Sequence, residues 1–324
     1  NHVRLNGVAD AADGIDWTLD APRLDQLHAS LSGSLKGKGN AQGVLDGSRL
    51  ALRIDELDGR VRDYPLSAQG AVQLEDKLLS ATGLQVDVGG NRLALDGVAD
   101  EASGIDWTLD APYLTRLHPS LDGSLKGRGN ARGLLDGSRL SLRVDELTGE
   151  MQSYPVSAQG ELQLRDQVLS ASGVSVKVGD NQVQLNGVAN AHAGIDWRID
   201  APALDQLHPS LSGRLKGHGN AKGVLDGSRL SLHVETLEGR IRDYPVQAGG
   251  ELRLLNQVLS ASNMQITVGD NQLVLNGTAD EDKGLDWKLK AGDLSQLYPA
   301  VVGNLEGNGN ARGLLDGSRL TLQV

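Results

Sequence analysis

Residues 121–133 read Leu-Asp-Gly-Ser-Leu-Lys-Gly-Arg-Gly-Asn-Ala-Arg-Gly. Leu121, Gly123, Leu125, Gly127, Gly129, Ala131 and Gly133 fall on one side of an extended chain, with mostly polar residues on the other. A period of two is the mark of a strand with one apolar face. The same alternation continues in both directions. Upstream, Gly104–Ala111 sets Ile105, Trp107, Leu109 and Ala111 against polar residues, and Asn91–Asp100 places Leu93, Leu95, Gly97 and Ala99 on one face. Downstream, Asp136-Gly137 is a tight-turn signal, followed by Leu140, Leu142 and Val144. Leu147–Ser153 then leads through Tyr154-Pro155 into Val156, Ala158, Gly160, Leu162 and Leu164. Leu169, Ala171 and Gly173 precede a change of phase to Val174, Val176 and Val178, which predicts a bulge or turn near Gly173.

One segment breaks the pattern. In Ala111–Leu117, Leu114 and Leu117 stand three apart behind Pro112, which suits the first turn of a helix. The expectation is one short helix per repeat, set among about seven strands spaced ~4.8 Å apart, so that each repeat advances by about 34 Å.

The pattern recurs every 90 residues: tryptophan at Trp17, Trp107, Trp197 and Trp287, and Leu-Asp-Gly-Ser-Arg-Leu from Leu45, Leu135, Leu225 and Leu315. Tyr-Pro falls at Tyr64, Tyr154 and Tyr244. The chain therefore reads as one continuous array: repeat 1 over 1–90, repeat 2 over 91–180, repeat 3 over 181–270 and a partial repeat 4 over 271–324. The class is all-β.

Composition narrows the function. The 42 glycines lack a Gly-X-Y period, which points to turns and close backbone approaches. A net charge of −11 without a basic stripe argues against nucleic acid as a partner. Having no cysteine, the chain has neither disulfides nor thiolate chemistry. No run approaches the ~18 apolar residues of a membrane span. The chain starts at Asn1 and stops at Val324 inside an apolar alternation, so targeting and anchoring segments are expected to lie outside it.

Four constellations carry possible chemistry. His28, His118 and His208 recur in Leu-His-x-Ser, but the fourth copy has Tyr298, and sites 90 residues apart do not form a metal centre; a solvated helix end accounts for them. Asp46-Gly47-Ser48 and its copies are turn formers with no histidine recurring beside them, so no catalytic residue is assigned and the chain is not read as an enzyme. The Asp-rich turns match neither an EF-hand loop nor a Gly-Gly-x-Gly-x-Asp array. Gly127-Arg128-Gly129 lies in an alternating strand rather than a strand-to-helix turn, which excludes a dinucleotide fingerprint. No metal and no cofactor is expected. The tryptophans read as structural plugs over small residues.

A one-faced apolar sheet must hide that face, either as a closed solenoid or as a trough filled by something else. Here the residues resemble a known family. Leu285–Gly309 carries Leu-Asp-Trp-x-Leu-x-Ala-x-x-Leu-x-x-Leu-x-Pro-x-x-x-Gly-x-Leu-x-Gly-x-Gly, and Gly179–Gly187 and Gly269–Gly277 carry Gly-Asp-Asn-x-Val/Leu-x-Leu-x-Gly. Together with the Tyr-Pro strand these are similar to the repeats of the TamB-like, AsmA-like bridge proteins of Gram-negative envelopes. The resemblance implies an elongated, U-shaped β-taco whose apolar groove carries phospholipid across the periplasm, toward an Omp85-type outer-membrane barrel met through segments outside this chain. The groove lining is then expected at Leu93, Leu95, Leu140, Leu142, Val144, Leu162, Leu164, Val174 and Val176. The alternative, of another class, is a closed structural β-solenoid (a stalk, adhesin or spacer, natural or engineered) with a dry core and no lipid.

Overall fold

The computed structural model describes the whole chain except residues 9–12, 27–31, 44–48, 135, 191, 209, 224–227, 281, 315–320 and 324. The described residues form 22 strands and four single turns of 3-10 helix. They divide into two compact units, Asn1–Asp166 and Gln167–Val324.

Unit 1 runs β1 (His2–Val8), β2 (Gly14–Ala21), β3 (Gly33–Gly43), β4 (Arg49–Val61), β5 (Tyr64–Glu75), β6 (Leu78–Val88), β7 (Asn91–Val98), β8 (Gly104–Ala111), β9 (Gly123–Gly133), β10 (Arg139–Met151) and β11 (Tyr154–Arg165). Unit 2 runs β12 (Val168–Val178), β13 (Asn181–Val188), β14 (Gly194–Ala201), β15 (Gly213–Gly223), β16 (Arg229–Ile241), β17 (Tyr244–Leu255), β18 (Val258–Val268), β19 (Asn271–Thr278), β20 (Gly284–Ala291), β21 (Leu305–Arg312) and β22 (Thr321–Gln323). Inside each unit, consecutive strands pair antiparallel.

Each 90-residue repeat supplies six strands where the alternation predicts seven. Leu140–Val144 and Leu147–Met151 are halves of one strand, β10, joined through a bulge at Asp145-Glu146. A phase change that looks like a strand end is an extra residue inside one strand. Six strands at ~4.8 Å advance β1–β6 by about 29 Å.

The bulges line up. In unit 1 the register shifts at Asp55-Glu56 of β4, at Gly70 of β5 and at Thr82-Gly83 of β6. Gly39, Ile54 and Gly70 are cross-strand partners on this line. Gly219, Val234 and Gly250 repeat it in unit 2. Gly70 has φ +119°, and a Cβ there would stand 2.5 Å from the Leu84 Cα, so only glycine fits at that position. Adjacent bulges bend adjacent strands at the same level and crease the sheet.

No α-helix follows Ala111. Leu114–Arg116 makes a single 3-10 turn, as do Leu24–Gln26, Leu204–Gln206 and Leu294–Gln296. Eleven residues must leave β8 and re-enter its neighbour β9, with Pro112 and Pro119 near the two ends; that leaves room for one turn and no more. The turn is fixed by an asparagine that imitates a paired strand. Asn91 Nδ2 donates to the Tyr113 carbonyl (2.9 Å), and its Oδ1 accepts the Tyr113 N–H (2.9 Å). Asn181 holds Ala203 at 2.7 and 3.1 Å, and Asn271 holds Asp293 at 2.9 and 3.2 Å. These three amides are buried.

Asn91→Ala removes both bonds and leaves the part-buried Tyr113 N–H without a partner, while the Tyr113 carbonyl keeps only the Arg116 N–H (3.0 Å). It is expected to lower unfolding stability by about 2–3 kcal/mol in urea titration and to abolish hydrogen-exchange protection of the Tyr113 amide, while Arg92→Ala leaves both near wild type.

Candidate functional site

Register carries one face unbroken through unit 1. Leu93 pairs with Leu109 and Leu95 with Trp107 across β7 and β8. Leu109 pairs with Gly127, Trp107 with Gly129 and Ile105 with Ala131 across β8 and β9. Ala131 pairs with Leu142, Gly133 with Leu140 and Gly129 with Val144 into β10. Leu142 then pairs with Leu162, and Leu140 with Leu164, into β11. Leu93, Leu95, Leu140, Leu142, Val144, Leu162 and Leu164 thus share the apolar face of unit 1. Val174 and Val176 lie in unit 2, paired with Leu185 and Val183. The face holds further residues that the pattern left out. Leu147 and Met151 lie beyond the crease, and Met264 is buried in unit 2 among Val234, Ala261, Ala279 and Leu285.

Burial on this face is uneven. Ala81 and Ile105 are 3% and 4% exposed, whereas Leu140 and Leu142, in the half of β10 before its bulge, are each 46% exposed, although Ile105 and Leu142 stand at one level through Ala131. Leu50, Leu52, Leu230 and Leu232 are also exposed at the matching positions. Among the described residues no large side chain is fully buried. A closed dry core would bury these leucines, at ~1.5–3 kcal/mol each.

The tryptophans fill the glycine strand. A Cβ on Gly129 would stand 2.7 Å from the Trp107 ring, and one on Gly127 would stand 2.6 Å from Leu147 Cδ1. Side chains from β8 and β10 therefore cover the bare backbone of β9 from both sides. Trp17, Trp107, Trp197 and Trp287 each bury the indole Nε1 without a hydrogen-bond partner. Such a donor costs about 1–3 kcal/mol, a cost the ring offsets by burying its apolar area.

The opposite face is wet. Asp106, Thr108 and Asp110 pair there with Asn130, Arg128 and Lys126. A hollow of about 1110 Å³ in unit 1 lies on this polar side, bordered by Glu56, Asp87, Arg92, Asp110, Lys126 and Glu146. Its charges pair with one another, Lys38 with Glu56 at 3.0 Å and Arg92 with Asp87 at 2.9 Å. Its lining also includes Leu57, Val86, Leu93 and Leu109, but its rim is charged on all sides, and the apolar face is the stronger candidate site.

The other constellations do local work. His118 Nδ1 lies 2.6 Å from Ser120 Oγ, and His208 Nδ1 lies 2.7 Å from Ser210 Oγ, each closing its own turn. His28 and Asp46-Gly47-Ser48 lie outside the described residues. Among the described residues no group of three His, Cys, Asp or Glu side chains is placed to hold a metal, and no helix is long and apolar enough to cross a membrane.

Asp136 Oδ1 accepts the Ser138 N–H (2.9 Å) and Oγ–H (2.7 Å), and Lys77 Nζ stands 3.1 Å from Oδ2. The Ser138 bonds first, then Lys77, lower the carboxyl from 3.8 to about 2. Because the folded value is depressed, this turn's contribution to stability is complete above the unfolded value near 3.8 and disappears as pH falls toward 2. A carboxyl-carbon NMR titration should therefore place Asp136 near 2, and Ser138→Ala should move it up toward 3.8.

Comparison with known proteins gives concordant results. The family model described as "TamB, N-terminal domain" matches residues 1–145, 135–236 and 214–324. The "Translocation and assembly module subunit TamB" of Haemophilus influenzae is 25% identical over 205 residues, covering 58% of this chain and 16% of that relative. The chain thus spans far less than two thirds of the relative it matches. No solved structure matches it.

Proposed function

This chain belongs to the TamB family, and from that premise we propose that it is a stretch of a lipid conduit in the periplasm of a Gram-negative bacterium. The apolar face holds phospholipid acyl chains, and the headgroups ride in water at the rims. The observation that carries this reading is the half-exposed row of Leu140, Leu142 and their equivalents on an otherwise unbroken apolar face. Each methylene laid against that row contributes about 0.8 kcal/mol. The sequence repeats every 90 residues, so neighbouring positions along the face offer nearly the same affinity, and a chain slides without meeting a deep trap. Transfer is passive on this reading, and no bond is made or broken.

The proposed lining is Leu93, Leu95, Leu140, Leu142, Val144, Leu162 and Leu164 in unit 1, with Val174 and Val176 in unit 2. Trp17, Trp107, Trp197 and Trp287 act as fillers that keep the glycine strand covered. The Haemophilus relative is named as a subunit of a translocation and assembly module. We place this chain in such a module, with an Omp85-type barrel in the outer membrane as the receiving partner of the whole assembly.

The test is mass spectrometry of an organic extract of the protein, purified from a Gram-negative envelope, beside a Leu142→Asp variant. Phospholipid at a reproducible stoichiometry is expected, reduced severalfold in the variant. Since Leu142 is already half exposed, the variant should keep its fold by circular dichroism. Lipid-free wild-type protein with an unfolded variant would leave the closed structural solenoid as the better account.

A further inference from the structure

The two rims of the apolar face in unit 1 differ in chemistry. At one, the charges are paired: Lys77 with Asp136 at 3.1 Å, and Arg139 with Glu101 at 2.8 Å. At the other lies the loop that follows Ala111, which folds back over the strand ends. Leu114 is buried there, and Asn91 ties the loop down. Its outer surface is amphipathic, with Tyr113 47%, Leu117 39% and Leu121 36% exposed.

Two arginines meet at this loop. Arg116 stacks over the Tyr113 ring at 3.8 Å and over Tyr64 at 5.8 Å, and its Nη1 donates to the Gly89 carbonyl at 2.6 Å. The stack fixes the plane of the guanidinium, and one bond to a carbonyl uses only one of its five N–H donors. Arg62, in the turn between β4 and β5, reaches the Leu117 carbonyl with Nη1 at 3.4 Å, which brings a second guanidinium to the loop that carries Arg116. Asp87, in the same region, is taken by Arg92. Among the described residues neither Arg62 nor Arg116 forms an ion pair. Asp63 follows Arg62 in the turn, so the pair outweighs the one carboxylate beside it in sequence.

We propose that Arg62 and Arg116 seat the phosphate of a phospholipid whose acyl chains lie on the adjoining apolar face. The proposal rests on the acyl-chain reading above and adds to it a place where a headgroup stops. Two guanidiniums, one held rigid by aromatic stacking, match a phosphate's oxygens. The exposed Tyr113, Leu117 and Leu121 beside them match the start of the hydrocarbon, so a lipid satisfies both halves of the loop where free phosphate satisfies one. The matching place in unit 2 lacks the pair. Arg242 occupies the turn, but Gln296 stands in the position of Arg116, and its amide is already committed to the Asp270 N–H (2.7 Å) and carboxylate (2.8 Å).

The experiment is calorimetric titration of the whole chain with diheptanoyl phosphatidylglycerol below its critical micelle concentration, with dioctanoylglycerol and inorganic phosphate as separate probes. Arg62→Gln/Arg116→Gln should weaken the phospholipid about tenfold, as expected for losing charge-assisted hydrogen bonds. The same variant should leave dioctanoylglycerol unchanged, and Arg242→Gln should change neither. Arg62→Gln alone, in an exposed turn, should show part of the loss and keeps the test open if the Arg116 substitution disturbs folding. Phospholipid binding unaffected by both arginine variants, but lost with dioctanoylglycerol binding in Leu142→Asp, would overturn the seat and leave the groove standing. Inorganic phosphate binding as tightly as the lipid would overturn the lipid assignment. Failure of either lipid to bind wild-type protein would remove the groove, and the seat with it.

Discussion

The apolar face must pass through a bend without changing sides, and the rest of the structure depends on how that is done. An extra residue in a strand ordinarily turns every later side chain to the opposite face. Here Asp145 and Glu146 together stand opposite Gln159 alone, one residue more on β10 than on β11, and the bulge absorbs it, so Leu147 returns to the side of Val144. Ile54 and Leu57 do the same against β5. Because neighbouring strands carry the irregularity at the same level, the sheet bends while its leucines remain in register. Glycines on the bend line, such as Gly70, admit the backbone geometry that no side chain would tolerate there.

Much of this was legible in the sequence, because alternation is a property of single strands. The apolar membership of Leu93, Leu140, Leu142 and Leu162 follows from counting by two, and the phase change near Gly173 marks one place where the count fails. The β10 bulge was not legible: a skipped beat at Asp145 looks the same whether the chain turns or bulges, and only pairing with β11 distinguishes the two. The loop after Ala111 shows the opposite failure. Leucines three apart read as a helix, yet the span between adjacent strands admits one 3-10 turn.

The asparagine ties were invisible for another reason. A polar residue between Gly179-Asp180 and the next strand reads as part of a turn, and nothing local shows that Asn181 is buried and bonded 22 residues ahead. The arginine pair is further still from local reading. Arg62 meets the backbone of the loop that carries Arg116 only because that loop folds back across the strand ends, and each arginine alone looks like an ordinary solvated charge. Membership of the apolar face was therefore accessible from pattern, whereas the features at its rims emerge only from tertiary placement.

Within each unit every described strand pairs with the strand next to it in the chain, and the remote pairing among the described residues is the single bridge between Leu78 and Leu134. Closing short loops is entropically cheap, and topologies made of neighbouring contacts order quickly. Assembly of such a sheet is therefore directional in principle. A chain emerging end first from a pore can lay each strand on the one before it, tie each loop down as its asparagine arrives, and keep a single growing edge, so that the aliphatic face is extended one strand at a time.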